Sequence, residues 1–181
     1  RTGALRRMLV EGLANTDARV ANDEPVSPAF LFALLLWPAF CRAQATLLKQ
    51  GVAPEEAQRR AADRVTVQQL STIALPRRFS LPMQEIWLLQ SRFSSRQRKR
   101  VFRTLTHPRF RAAFDFLSLR QVASSEHAVD VEFWREAQAQ SGRELESSLD
   151  AMHSEDGDDE SGAPRKRRRR RRRPGAAAAG E

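Results

Sequence analysis

Apolar residues recur at helical spacing along most of the chain. Ile86, Leu89 and Phe93 lie three and four residues apart, which places their side chains on one face of a helix. The same spacing is seen in two other stretches: Leu5, Met8, Leu9 and Leu13 in the first, and Phe110, Ala113, Phe114 and Leu117 in the second. Strand signals are nearly absent, because tyrosine is missing and no Asn-Gly or Asp-Gly turn separates apolar runs. The pattern predicts an all-α fold, a helical arm or bundle.

Prolines and capping residues divide this pattern into separate helices. Ser27 and Pro28 supply an N-cap and a first helical residue for the apolar run 29–37, which we expect to be central and buried. Pro38 is expected to break or kink that helix. A run this short cannot span a membrane, which takes ~20 apolar residues, so we predict no transmembrane segment. Later helices are predicted to begin at three places: Pro54, running to about residue 74; Leu81-Pro82; and Asp130.

The composition changes abruptly near the end of the chain. Residues 154–164 carry five acidic side chains and no large apolar residue, so nothing there compensates the entropy of ordering. Nine consecutive cations follow: Arg165, Lys166, Arg167, Arg168, Arg169, Arg170, Arg171, Arg172 and Arg173. Like charges at every position repel one another. We therefore predict a helical arm over 1–123, a short terminal helix region over 124–152, and a disordered, acidic-then-basic tail over 153–181.

The charge of the chain favours a polyanionic partner. Lysine and arginine number 31 against 22 acidic residues, which gives a net charge of +9. Without residues 155–181 the chain still has 22 basic against 16 acidic residues. Residues 92–111, the basic segment, contain no acidic residue. Its eight cations are Arg92, Arg96, Arg98, Lys99, Arg100, Arg103, Arg109 and Arg111.

Four of these cations are predicted to form a ridge. At about 100° per residue, a helix from Ser95 places them within roughly a quarter of its circumference. They are Arg96, Lys99, Arg100 and Arg103, and an apolar face lies opposite. Since no carboxylate is near in sequence, we expect the ridge to be unpaired and available to phosphates. A solvated basic face without a ligand is the simpler alternative.

No constellation of catalytic residues is recognisable. Cys41 is the single cysteine, which excludes an internal disulfide and favours a reducing, cytoplasmic setting. The three histidines are widely separated and the eight glycines form no phosphate loop. Asp156 and Asp158 have the spacing of a metal-binding pair, but they lie in the predicted disordered stretch. We therefore expect no catalytic residue, metal or cofactor in this chain.

Six segments form an ordered series along the chain: residues 15–20, 25–37, 73–78, 85–90, 96–100 and 107–115, for example PVSPAFLFALLLW and HPRFRAAFD. In this order they resemble the C-terminal half of the bacterial poly(A) polymerase I family. The resemblance covers nearly all of residues 10–120. It implies an all-helical arm following a nucleotidyltransferase head that adds AMP from ATP to RNA 3′ ends, with Mg²⁺ and ATP bound by the parent enzyme.

The resemblance also implies a role for the arm, which binds RNA and packs on the upstream domains. The family's catalytic Gly-Ser pair and its metal-binding aspartates have no match here, so no catalytic residue is carried over. Candidate RNA-binding residues are Arg77, Arg78, Arg96, Arg98, Lys99, Arg100, Arg103, Arg109, Arg111 and the nine cations of 165–173. The chain has the character of a piece of a longer protein, because it begins at Arg1 with helical spacing already present.

Two other functions are compatible with the residues. The chain could be a stand-alone basic RNA-binding or ribosome-associated protein without enzymatic activity. The arginine run could instead bind an acidic protein or an anionic membrane, because polyarginine does not discriminate among polyanions. The order of the apolar motifs favours the polymerase.

Overall fold

The computed structural model describes residues 2–70, 75–140 and 142–155, and these residues contain helices and no strand. The helices are α1 (Thr2–Ala21), α2 (Pro28–Lys49), α3 (Pro54–Leu70), α4 (Arg77–Leu89), α5 (Arg98–Leu105), α6 (Phe110–Ala123), α7 (Ala128–Ala139) and α8 (Gly142–Glu155). Two 3₁₀ turns, Gln90–Arg92 and Ser125–His127, lie between them. The predicted all-α fold is confirmed. The disordered tail was predicted to begin at residue 153, but α8 continues to Glu155, so that prediction is wrong for 153–155. The rest of the predicted tail, 156–181, lies outside the described residues.

Pro38 was predicted to break or kink α2. The helix continues through Pro38, so a break is wrong, and a kink stays a prediction. A proline inside a helix costs about 3 kcal/mol, whereas each large apolar side chain that becomes buried contributes about 1.5–3 kcal/mol. Leu34, Trp37 and Phe40 on both sides of Pro38 are all buried. By length and composition, the resulting 22-residue helix could cross a membrane, but one of its faces lies in the protein core.

Helix α4 begins earlier than predicted, at Arg77 rather than at Pro82. The backbone amides of Phe79 and Ser80 donate to the carbonyl oxygen of Pro76, at 2.8 and 3.1 Å, and so form the first turn. Pro82 therefore lies inside the helix. Helix α7 likewise begins two residues before the predicted Asp130, and α8 was not predicted as a separate helix.

The first core joins α1, α2, α3, α4 and part of α6. Phe40 stacks between Trp37 and Trp87, with ring centroids 5.0 and 4.8 Å apart. The indole Nε1 of Trp87 donates to the carbonyl oxygen of Ala33 at 3.0 Å, which satisfies a buried polar group. Gly12 lets α1 approach α2 closely, because a Cβ atom at Gly12 would lie 2.4 Å from a methyl carbon of Leu34 in α2.

The second core joins the end of α4 to α5, α6, α7 and α8. Trp134 and Phe93 are fully buried at its centre, with their rings edge to face. The Nε1 of Trp134 donates to the carbonyl oxygen of Phe93 at 2.7 Å. Leu145 and Leu149 anchor α8 in the same core. The predicted division of the chain after residue 123 stays a prediction.

Candidate nucleic acid interface

Helix α5 fixes three cations on one exposed face. Lys99, Arg100 and Arg103 fall within an arc of about 100°, given about 100° per residue. On the opposite side, Val101 is fully buried, and Phe102 and Leu105 pack against the second core. We call these three cations the cation face. None of them forms an ion pair within residues 2–70, 75–140 and 142–155, so their charges are available to a ligand.

Arg96 does not lie on this face, which corrects the predicted ridge. Helix α5 starts at Arg98, so Arg96 precedes it. Its guanidinium donates to Asp130 Oδ1 at 2.6 Å and to the carbonyl oxygen of Phe93 at 2.7 Å, and it lies 4.0 Å from the ring centroid of Phe133. Its side chain is only 26% exposed. Arg96 therefore links the segment before α5 to α7, through a carboxylate 34 residues away.

Three more cations of the basic segment also have carboxylate partners. Arg98 pairs with Glu146 of α8 at 2.6 Å, Arg109 with Glu85 of α4 at 3.1 Å, and Arg111 with Asp115 at 3.3 Å. The expectation that the segment lacks nearby carboxylates is therefore wrong for half of its eight cations. The partner carboxylates all lie outside the basic segment. Some are distant in sequence, and others lie just beyond its ends.

The pKa of Asp115 is raised, because partial burial outweighs the opposing effect of Arg111. Together with Arg109, these two residues line a cleft of about 730 Å³ between α1 and α6. All three side chains remain partly exposed. The cleft contains carboxylates as well as cations, so it is a weaker anion site than the cation face.

Arg77 and Arg78 lie in the first turn of α4, where both are exposed. The helix dipole makes this end of a helix unfavourable for cations. Neither has an ion pair within the described part of the chain, and the guanidinium of Arg78 lies 4.9 Å from the ring centroid of Phe79. The remaining predicted site residues, 165–173, lie outside the described residues.

The structure adds two arginines that the sequence reasoning missed. Arg59 of α3 and Arg92 of the first 3₁₀ turn join Arg100 and Arg103 around a groove of about 590 Å³. We call it the arginine groove. Arg92 belongs to the basic segment, so its charge was visible in the sequence. Arg59 lies more than thirty residues earlier, and only the packing of α3 beside α4 brings it here.

The described residues offer little support for a catalytic nucleophile or a metal site. Burial raises the pKa of the Cys41 thiol to about 11, so it stays protonated at neutral pH and is a poor nucleophile. In the parts of the chain that the structure describes, no group of three or more His, Cys, Asp or Glu side chains could hold a metal ion. The exposed cations can bind anions, and no reaction follows from their arrangement.

Comparison with known proteins identifies a family for this chain. Residues 50–174 match the family described as polymerase A arginine-rich C-terminus. The poly(A) polymerase I of Salmonella typhi is 36% identical over 152 residues, and that of Escherichia coli O6:H1 is 35% identical over 154 residues. The enzyme of Haemophilus influenzae is 33% identical over 146 residues.

These matches cover 82%, 83% and 79% of this chain, respectively, but only 33%, 33% and 32% of the relatives. The chain therefore spans about a third of the length of the curated relatives it matches. The family match alone covers more than two thirds of the chain. The chain belongs to the family of the arginine-rich C-terminal region of polymerase A, the poly(A) polymerases.

Proposed function

We propose that this chain is the RNA-binding C-terminal region of a poly(A) polymerase that adds AMP from ATP to RNA 3′ ends. The observation that supports this proposal is the cation face of α5, which carries three exposed cations without carboxylate partners. The family match gives the face its context, because the substrate of a polymerase of this kind is RNA. The three cations would contact backbone phosphates.

The geometry favours binding over simple solubility. The apolar side of α5 is held in the second core, so Lys99, Arg100 and Arg103 keep a fixed spacing instead of moving with a flexible loop. Each phosphate that they neutralise releases counterions from single-stranded RNA. The slope of the logarithm of the binding constant against the logarithm of the salt concentration then becomes more negative by about 0.7. This term is independent of base sequence, as a polymerase that acts on many RNA ends requires.

The rest of the parent protein would supply the chemistry. The head that precedes this region in the family would bind ATP and Mg²⁺, and nothing in the described residues assigns either to this chain. We propose that the arginine run 165–173 adds non-specific attraction for RNA, and that the protein works in the cytoplasm. The arm would hold RNA close to the head without touching the reacting atoms.

The test uses the full-length polymerase with Lys99→Ala, Arg100→Ala and Arg103→Ala combined. We expect the KM for RNA to rise by at least tenfold, whereas the KM for ATP stays within twofold. A matched control removes three other exposed arginines that form no ion pair within the described residues, Arg6, Arg42 and Arg64. An unchanged KM for RNA, or an equal rise in the control, would contradict the role of the cation face.

A further inference from the structure

We propose that the arginine groove is a second phosphate-binding site, which holds backbone phosphates of single-stranded RNA between α3 and α5. This inference rests on the proposed function and extends it to Arg59 and Arg92. The groove of about 590 Å³ is lined by four arginines from three elements: Arg59 of α3, Arg92 of the 3₁₀ turn, and Arg100 and Arg103 of α5. Arg100 and Arg103 border both sites, so one strand can pass from the cation face into the groove.

The charge balance of the groove favours an anion. Arg92, Arg100 and Arg103 have no ion pair in the described chain, and Glu55 is the one acidic residue among those that line the groove. Unpaired guanidinium groups that lie close together repel one another, and a bound phosphate relieves that repulsion. A planar guanidinium can also bind a phosphate through two hydrogen bonds at once.

Arg59 can join the site without leaving a carboxylate unpaired. Arg59 and Arg60 both contact Glu56, Arg60 with its Nε 2.6 Å from Oε1. The hydrogen bond from Arg60 lowers the pKa of Glu56, so this carboxylate stays ionised at neutral pH. If Arg59 turns toward a phosphate in the groove, Arg60 still neutralises Glu56. The exchange therefore costs little, because both partners of Glu56 are exposed.

Hydrogen bonds hold the wall of the groove, so the arginine side chains are the part that must reorganise on binding. Gln58 is 6% exposed and donates through Nε2 to the carbonyl oxygen of Trp87 at 2.9 Å. Ser91 Oγ donates to Gln58 Oε1 at 2.8 Å. Thr104, which is buried, donates to the carbonyl oxygen of Arg100 at 2.8 Å. A preorganised wall reduces the entropy that a ligand must overcome.

The lining of the groove also indicates which part of RNA it accepts. Leu88 is the single large apolar residue among the described residues of the lining, and none of these residues is aromatic. Bases of single strands bind largely by stacking on aromatic rings, so this groove offers them little. We therefore expect recognition of the backbone and no preference among bases.

The experiment measures binding of fluorescein-labelled oligoadenylate to the whole 181-residue chain by fluorescence anisotropy over a range of salt concentrations. The test variant combines Arg59→Ala with Arg92→Ala and leaves the cation face intact. Two lost phosphate contacts should weaken binding roughly fifteenfold at about 0.15 M salt and make the log–log salt slope less negative by about 1.4. The matched control combines Arg42→Ala with Arg64→Ala, which removes the same charge outside the groove and includes a residue of α3.

Further measurements separate the possible outcomes. Glu55→Gln should strengthen binding a few-fold, and oligouridylate should lose the same affinity as oligoadenylate in the test variant. Circular dichroism and thermal unfolding establish that each variant is folded. If the test variant equals the control while the Lys99, Arg100 and Arg103 variant binds weakly, the groove proposal is wrong and the proposed function stands.

Two other results point elsewhere. If the wild-type chain itself does not bind oligoadenylate, the proposed function fails. The phosphates of free ATP share the chemistry of the RNA backbone, so ATP is tested as a competitor. A loss of ATP binding in the test variant with unchanged RNA binding would assign the groove to a free nucleotide and overturn the RNA proposal.

Discussion

Two neighbouring parts of the basic segment, residues 96–98 and 99–103, differ although their sequences look alike. Arg96 and Arg98 are tied by carboxylates to α7 and α8, whereas Lys99, Arg100 and Arg103 have no such partner in the described chain. The first part contributes to the fold and the second remains available for a ligand. A run of cations in a sequence therefore does not reveal which members stabilise the protein, because the partner carboxylates come from elsewhere in the chain.

Trp134→Ala should have the largest effect, because it disrupts the region where Arg96 is paired with Asp130. Trp134 Nε1 and the Arg96 guanidinium both donate to the carbonyl oxygen of Phe93, so the substitution removes one of these bonds and opens a cavity in the second core. We expect a loss of about 4 kcal/mol in the free energy of unfolding, measured with urea. Trp134→Phe keeps most of the ring and should cost less. A loss below about 1 kcal/mol for the alanine variant would show that this core does not hold α5.

Removing the cation face should change RNA affinity and leave stability nearly unaltered. The Lys99→Ala, Arg100→Ala and Arg103→Ala combination loses three phosphate contacts, each worth roughly fourfold at about 0.15 M salt, so affinity for oligoadenylate should fall about fiftyfold. The unfolding free energy should stay within about 0.5 kcal/mol, because exposed charges without partners contribute little. An affinity loss accompanied by unfolding would remove the contrast between the two parts.

Arg96→Ala should give the opposite result. It removes a partly buried ion pair with Asp130, a hydrogen bond to Phe93 and the contact with the Phe133 ring, so we expect a loss of about 2 kcal/mol in unfolding free energy. The RNA affinity of the folded variant should stay within twofold of wild type. Arg96→Lys keeps the charge but not the geometry and serves as the comparison. A fourfold or greater loss of RNA affinity would return Arg96 to the interface.

The smallest effect is expected for Glu146→Gln, which would convert a paired cation into a free one. Arg98 and Glu146 are both about half exposed, so their ion pair contributes about 0–1 kcal/mol. Releasing Arg98 adds one cation next to the cation face, and RNA affinity should rise by up to about fourfold. Titration with labelled oligoadenylate measures this change, and Ser147→Ala on the same helix is the control. Weaker RNA binding by Glu146→Gln would contradict the expectation.

The number and the kind of helices could largely be predicted from the sequence. The starts of α2 at Pro28 and of α3 at Pro54 are confirmed, but several other helix ends could not be predicted. Apolar spacing identified α1, α4 and α6, because an amphipathic helix repeats its pattern locally. Helix ends that were expected at Pro38 and Pro82 are not found. Both prolines lie inside helices, because burial of neighbouring side chains outweighs the lost backbone hydrogen bond. Leu145 and Leu149 of α8 are too few to give a strong pattern, and their burial depends on the rest of the second core.

The sequence by itself determined the helical class, the net charge and the family. These follow from composition, periodicity and motif order, which do not depend on how distant parts of the chain pack together. It also determined that Lys99, Arg100 and Arg103 share a helical face. Only the tertiary structure decided that Arg96 forms an ion pair with Asp130, and that Arg59 lines the same groove as Arg92. Charges act through space, so their partners depend on how distant helices pack, and packing is set by the whole core at once.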